Sequence, residues 1–223
     1  MIIGRNQNPY REVNMKYAKY RNFDIVRRVS GGGAVYHDLG NINFTFITHN
    51  PKTDLSNYQK FTKKIIVILE RMGLKPTFVP QSHIYIGDYK ISGNAQSFHK
   101  GRVIHHGTLL FDSNLKDLKY ALKSRRNIPG NSIKSRPADT KNIKSFLQLS
   151  ADSEAFMAFM RDAMFIDSYQ NHLLELTNSD FDVVKDMVKT KYAKWEWNIG
   201  NKANFTIKRK YLNRYYTFTI NKG

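Results

Sequence analysis

The sequence predicts an α/β or α+β sheet fold. Three observations carry that expectation. Short segments alternate apolar and polar residues, as half-buried strands do; longer segments repeat apolar residues at helical spacing; and Gly/Asn/Asp turns join the strand-like segments. With 223 residues, 41% of them hydrophobic and 13% aromatic, the chain fits one large domain, or one domain with a small appendage, around a real core.

In chain order, Ile2 and Ile3 read as a strand end that runs into the Gly/Asn/Pro-rich "GRNQNP". An edge strand there needs a partner. Residues 12–22 are polar and helical in pattern, and "FDIVRRVS" (23–30) reads as a short strand leading into three glycines. "AVYHD" and "NINFTFITH" alternate apolar and polar residues around "DLGN", which predicts a hairpin. "SNYQKFTKKIIVILERMG" (56–73) reads as a helix with Ser56 as N-cap and Gly73 just past its end. The next segment, "PTFVPQSHIYIGDYKISGNAQ", reads strand, Gly87–Asp88 turn, strand, with Lys90 and Ser92 in phase on the second strand. "VIHHGTLLF" (103–111) is a further strand on which either His105 or His106 faces inward. A short helix follows at 115–123, then a basic, loop-rich stretch at 125–142. Helical patterns at 151–175 and 180–194 precede "FTIKRKYLNRYYTFTI", two alternating strands.

Lys and Arg number 36 against 18 acids, a formal net charge of +18. Such a field attracts anions, yet the charge is spread, with only local clusters at "KSRRN" (123–127) and "KRK" (208–210). A spread charge describes a solvated surface, and nucleic-acid binding does not follow from it. The absence of cysteine excludes thiolate catalysis, disulfides and Cys-ligated zinc. No apolar run approaches ~18 residues and "MIIGRNQNPY" is no signal peptide, so the expectation is a cytoplasmic protein that does not span a membrane.

The chemistry concentrates in three places. In "RRVSGGGAVYHD" (27–38), three glycines allow backbone N–H groups to approach a ligand with no Cβ in the way. Arg27 and Arg28 precede them on alternate faces, and a guanidinium suits a phosphate or carboxylate. A plain strand-to-strand turn is the other reading, because no Lys-Ser/Thr follows as in a P-loop. In "GDYKISGNAQ" (87–96), Lys90 is either solvated or paired with an anion on a covered sheet face. In "HHGTLLF" the histidines lack metal-ligand spacing, so zinc is not indicated.

Together, "RRVSGGGAVYHDLGNINFTF", "KISGNAQ", "HHGTLLF", "SRPADTKNI" and "WEWNIG" resemble the lipoate–protein ligase A family of the biotin/lipoate protein ligase superfamily, in the right order and over nearly the whole chain. The resemblance implies a mixed sheet flanked by helices, related to biotin protein ligases and class II aminoacyl-tRNA synthetases. It implies residues 1–223 as one catalytic domain with a strand pair at 204–220, lacking the family's N-terminal segment and small C-terminal domain.

The implied activity is ATP-dependent: lipoate is activated as lipoyl-AMP, then passed to a lysine of a lipoyl domain. Lys90 is the implied catalytic residue. Arg28, Ser30, Gly32, Gly33, Ala34, Val35, Tyr36, Lys90 and Ser92 are implied around ATP or lipoyl-AMP, with His37, His106 and Gly107 at the lipoyl pocket. ATP and magnesium are the implied cofactors and lipoate the substrate. Acceptor lipoyl domains of 2-oxoacid dehydrogenase E2 subunits or the glycine-cleavage H protein are the implied partners, with a separate small accessory domain as a further one.

The chain departs from the family at Ser82 and His83, where an Asn-Asp pair is usual. That carboxylate is associated with magnesium, and an imidazole is a poor magnesium ligand. Two other functions therefore stay open: an ATP-independent lipoyl or octanoyl transferase, and a non-catalytic homologue that binds lipoate or nucleic acid.

Overall fold

The computed structural model describes residues 1–80, 83–123, 128, 132–148, 150–166, 173–200 and 205–220. Ser82, residues 124–127 of the basic cluster, and 167–172 of the expected helix at 151–175 lie outside them. In chain order the elements begin β1 (Ile2–Ile3), α1 (Pro9–Glu12), α2 (Met15–Tyr20), β2 (Val26–Arg27) and β3 (Asn41–Thr48). Next come α3 (Pro51–Asp54), α4 (Tyr58–Arg71), β4 (Pro76–Val79), β5 (His83–Ile86), β6 (Tyr89–His99) and β7 (Arg102–Leu110). The series closes with α5 (Leu115–Ala121), α6 (Ser153–Phe165), α7 (Asn178–Met187), β8 (Phe205–Tyr211) and β9 (Arg214–Ile220). They divide into two compact units, one of residues 1–36, 116–136 and 173–223, the other of 37–115 and 137–172.

The second unit is built on a five-stranded antiparallel sheet of order β3-β7-β6-β5-β4. Helix α4 supplies its main apolar cover through Phe61, Ile65, Ile68 and Leu69. Asn57 caps this helix, its side chain accepting from Lys60 N, whereas the expected cap Ser56 takes a left-handed φ of +66° one residue earlier. Gly73 leaves the helix at φ +80°, as its position predicts. Helix α6 adds Phe156, stacked on Phe111 with ring centroids 4.2 Å apart and planes at 9°.

The hairpin expected between "AVYHD" and "NINFTFITH" does not form. β3 pairs with β7 instead, and Val35 bridges Ile2 through two N–H···O bonds of 2.9 Å. The cause is apolar burial: Ala34 and Tyr36 belong to the core of the first unit, which keeps this segment beside β1.

In that first unit β1 runs parallel to β2, so Ile2–Ile3 gains a strand partner on one side and Val35 on the other. Met1, Ile3, Val13, Ala18 and Ala121 pack with Ala34 and Tyr36. The buried Asp117 of α5 accepts from Tyr17 Oη at 2.6 Å and Arg21 Nη2 at 2.7 Å, which fastens α2 to α5. The two expected terminal strands are present as the antiparallel hairpin β8–β9, turned by Leu212 and Asn213 in left-handed conformations. Tyr10 meets Phe205 at 5.5 Å between ring centroids. Helix α7 begins at a Thr177–Asp180 capping box and continues through 188–192 with wider turns. Among the described residues no helix is long and apolar enough to cross a membrane.

Candidate active site

The glycine loop belongs to the first unit, and its shape comes from two close approaches. A Cβ on Gly4 would sit 2.2 Å from the carbonyl oxygen of Gly32, so these two backbones meet as only glycine permits. Gly32 itself has φ +87°. On the far side Ser135 holds the loop. Its Oγ accepts from Ala34 N at 2.9 Å and from Gln7 Nε2 at 3.0 Å, while its own N–H donates to Glu12 Oε2 at 3.0 Å.

Arg28 closes the loop from within. Its Nε donates to Ser30 Oγ at 3.1 Å, and its Nη2 donates to the carbonyls of Gly31 and Gly33, the latter at 2.8 Å. Among the described residues it meets no carboxylate, and burial draws its pKa down to about 10, so it stays charged at neutral pH. The N–H groups of Gly31, Gly32 and Gly33 have no acceptor among the described residues. A charged guanidinium therefore lies beside three adjacent backbone donors. That combination can take an anionic group such as a phosphate.

Lys90 belongs to the second unit, and an irregularity in the sheet aims it. Opposite β5, Ile84 faces Ser92 and Tyr85 faces Lys90, which leaves Ile91 as an extra residue in β6. Such a bulge shifts the phase of the strand by one. Lys90 consequently leaves the phase of Ser92 and joins that of Gly93: a Cβ on Gly93 would lie 3.3 Å from Lys90 Nζ. The expected Lys90–Ser92 pairing on one face is thus corrected by a single inserted residue. The bulged backbone is braced from outside the sheet, since Lys90 N donates to Asp139 O at 2.8 Å and Lys141 N to Lys90 O at 3.4 Å.

Lys90 shares its face with His83, which lies opposite Gly93 in the register, and with His106, which lies opposite Ala95. Its ammonium is half-buried with no hydrogen-bond or ion-pair partner among the described residues. Burial without a counter-charge pulls its pKa to about 8. At neutral pH it remains a cation, and one that gains from any anion placed against it.

Ser92 and Gly107 are not brought to that face. Both lie on the side covered by α4, Ser92 within a buried polar chain and Gly107 packed against Asn94 and Phe44. Asn94 Nδ2 donates to Ser92 Oγ at 3.3 Å, and His105 Nε2 lies 3.2 Å from Asn94 Oδ1. Gln96 Nε2 approaches His105 Nδ1 at 3.1 Å, and the Gln96 Oε1 accepts from Ser56 N at 2.6 Å. Of the two neighbouring histidines it is therefore His105 that faces inward, stacked on Phe61 at 4.7 Å. Burial first, and then the neighbouring His106, lowers its pKa to about 4, so it is a neutral core residue. Gly107 is glycine because a Cβ would sit 2.2 Å from Asn94 Oδ1 and 2.3 Å from the Phe44 ring.

The remaining expected residues divide similarly. Ser30 is buried in the loop; Ala34 and Tyr36 support it from the apolar core; Val35 pins it to β1; and His37 begins the second unit, half-buried. Among the described residues no three His, Cys, Asp or Glu side chains gather as a metal site. The donors present, with His83 on the Lys90 face, do not fit a protein-held magnesium ion.

Residues 1–165 match the family model described as the lipoyl protein ligase A/B catalytic domain. The chain belongs to this family. It is 38% identical over 210 residues to lipoate-protein ligase LplJ of Bacillus subtilis, covering 93% of this chain and 63% of that protein. With lipoate–protein ligase 1 of Staphylococcus aureus it shares 37% identity over 211 residues, covering 94% and 64%. The chain thus spans a little under two thirds of the length of these relatives. A crystal structure of lipoate-protein ligase A bound with ATP aligns with a TM-score of 0.74 at 25% identity, covering 90% of this chain and 81% of that one. A lipoate protein ligase structure from T. acidophilum with bound lipoic acid aligns at 0.72 and 25%, covering 89% and 81%. A second structure from that archaeon, of a bipartite lipoate protein ligase and its E2 lipoyl domain, shares the fold at a TM-score of 0.75 and 23% identity, covering 90% and 80%.

The family motifs in the sequence point to the loop and the lysine but give no role to the residues that shape them, although Ser135 opens the motif "SRPADTKNI". Gly4, Gln7 and Ser135 act through tertiary contacts 23 or more residues from the glycine loop. Gly93 had a visible signal, a glycine inside an alternating strand, which marks a bulge or a close approach.

Proposed function

We propose that the chain is the catalytic domain of an ATP-dependent lipoate–protein ligase, with residues 1–223 acting as one domain in the cytoplasm. The observation that carries the proposal is the glycine loop of a family member: three adjacent backbone donors beside an arginine that meets no carboxylate among the described residues. In the first step the lipoate carboxylate oxygen attacks the α-phosphorus of ATP, and pyrophosphate leaves with the electrons of the broken P–O bond. In the second, the amine of an acceptor lysine attacks the acyl carbon, AMP leaves, and the amine surrenders a proton to form the amide.

The loop N–H groups and Arg28 are suited to hold phosphoryl oxygens. The ammonium of Lys90, which has no partner among the described residues, is suited to offset charge that builds on the carboxylate and phosphoryl oxygens, a fixed electrostatic contribution that needs little reorganisation. His106 and His83, on the face of Lys90, are the side chains we assign to the surroundings of the acyl chain; Ser92 and Gly107 support that face from behind. Magnesium is assigned no protein site here. The acceptor class we favour is the E2 lipoyl domain, the partner with which the archaeal bipartite ligase is described.

The test is mass spectrometry on two reactions of the purified chain. One holds lipoate, ATP and magnesium; the other holds synthetic lipoyl-AMP and a lipoyl domain. Lipoyl-AMP in the first and lipoyl-lysine in the second bear the proposal out. Product only in the second limits the chain to transfer, and product in neither overturns it.

A further inference from the structure

Arg27 is the largest fully buried side chain among the described residues, 1% exposed, and the proposed chemistry gives it no role. Its guanidinium is spent on carbonyl oxygens. Nη1 donates to Gly4 O at 2.9 Å, Arg5 O at 3.1 Å and Gln7 O at 2.8 Å; Nε donates to Trp197 O at 2.8 Å and Nη2 to Asn198 O at 3.1 Å. Its backbone is clamped as well, with Arg27 N on Asn198 Oδ1 and Trp197 Nε1 on Arg27 O, both at 2.8 Å. One planar fork thus gathers the carbonyls of residues 4–7 and of 197–198, segments that no shared strand joins.

The segment that Arg27 gathers is the one against which the glycine loop is moulded. Gly4 abuts Gly32 O; Arg5 N donates to Ser30 O at 2.8 Å; and Gln7 reaches Ala34 N through Ser135 Oγ. Each of the three backbone positions that Arg27 Nη1 engages therefore belongs to a residue with its own contact to the loop or its clamp. We infer that Arg27 is a positioning residue, which sets the phosphate-facing geometry of the glycine loop by fixing residues 4–7, without touching the ligand itself. A lysine cannot replace it, because an ammonium is a single point with three donors and cannot span carbonyls set around a fork. Burial lowers its pKa to about 10, so at neutral pH it also adds a desolvated positive charge behind an anion-binding loop.

This inference rests on the proposed function only for what the loop binds. Its first readout is accordingly independent of activity: hydrogen exchange at Ala34 and Val35, whose N–H groups are bonded to Ser135 and Ile2, in the wild type, R27K and Q7A. Gln7→Ala leaves the carbonyl nest and cuts the Gln7–Ser135 link, so it carries the test where R27K fails to fold. We expect exchange at these two amides to rise about tenfold in both variants, with the amides of β3, β6 and β7 unchanged. The second readout is ATP binding by calorimetry, with the dissociation constant for ATP rising about tenfold and that for lipoate unchanged. Unaltered exchange at Ala34 and Val35 in a folded variant overturns the inference, as does a rise spread evenly over the sheet. A wild type that binds no ATP overturns the proposed function and leaves the exchange result to decide on Arg27.

Discussion

The glycine loop and the Lys90 strand both present positive charge without a carboxylate among the described residues, and they do so by opposite means. In the loop, two arginines are immobilised by carbonyl oxygens and Ser30, and the flexible backbone is shaped by contacts from residues distant in sequence. On β6, a regular sheet supplies the rigidity and one bulge aims a lysine whose ammonium has no partner among the described residues. The guanidinium charge is permanent at any physiological pH, whereas an ammonium with a pKa of about 8 can lose its proton just above it. The loop is therefore the part whose geometry is delicate, and the lysine the part whose charge is.

Five changes would break or sharpen this contrast. Lys90→Ala removes the charge and leaves the sheet intact, so lipoyl-AMP formation should fall about 100-fold or more with a melting temperature equal to or above that of the wild type. Activity near that of the wild type would sink the assignment of Lys90. Gly4→Ala attacks the other region: its Cβ would meet Gly32 O at 2.2 Å, backbone against side chain, at a cost of roughly 3 kcal/mol. Thermal unfolding of that variant should show the loss, and ATP binding should weaken while lipoate binding does not.

Gly93→Ala is milder. The added methyl would stand 3.3 Å from Lys90 Nζ, which can give way, so a drop of about tenfold in adenylation with no loss of stability is expected from steady-state rates. His83→Asp, across the β5–β6 register from Gly93, places a carboxylate on the face of Lys90. Its activity should match or exceed the wild type within a few-fold, and the Lys90 pKa should climb by about one unit or more; a large loss would show that His83 has a role of its own.

The smallest effect is the dependence of the wild type on pH. Lys90 has a folded pKa of about 8, below the 10.5 of an unfolded lysine, so between those values the unfolded chain holds more protons. Its burial penalty is fully present below pH 8 and is relieved as pH rises toward 10.5. Stability should therefore edge upward across that window, while adenylation, in which the ammonium has its proposed role, should decline. His105 works in a separate window: its folded pKa of about 4 lies below the ordinary 6.5, so its contribution is complete above 6.5 and lost as pH falls toward 4. Chemical denaturation at stepped pH separates the two slopes.

Much of this was legible in the sequence where local pattern decides structure. The helix at Tyr58–Arg71, the strands β5, β6 and β7, and the terminal hairpin follow from periodicity and turn residues, and the glycine loop and Lys90 follow from the family motifs. Failures came where long-range packing overrode local pattern. "AVYHD" alternates well enough for a hairpin, but Ala34 and Tyr36 gain more from an apolar cluster that includes Met1 and Ile3. Likewise, the phase of Lys90 could not be counted along β6, because only the pairing with β5 reveals that Ile91 is supernumerary.

That extra residue makes the position of the cation a matter of counting. Delete Ile91, and the hydropathy profile barely changes, the flanking motif letters survive, and the ladder with β5 becomes more regular. The lysine would then be the direct neighbour of Ser92 and keep the face of Gly93; only a register in which Ile91 stays and pairs with Tyr85 would turn it into the layer of Phe44, Phe61 and the neutral His105. The side that carries the charge is thus set by which residue faces Tyr85, a property of the pairing that no inventory of residues would detect.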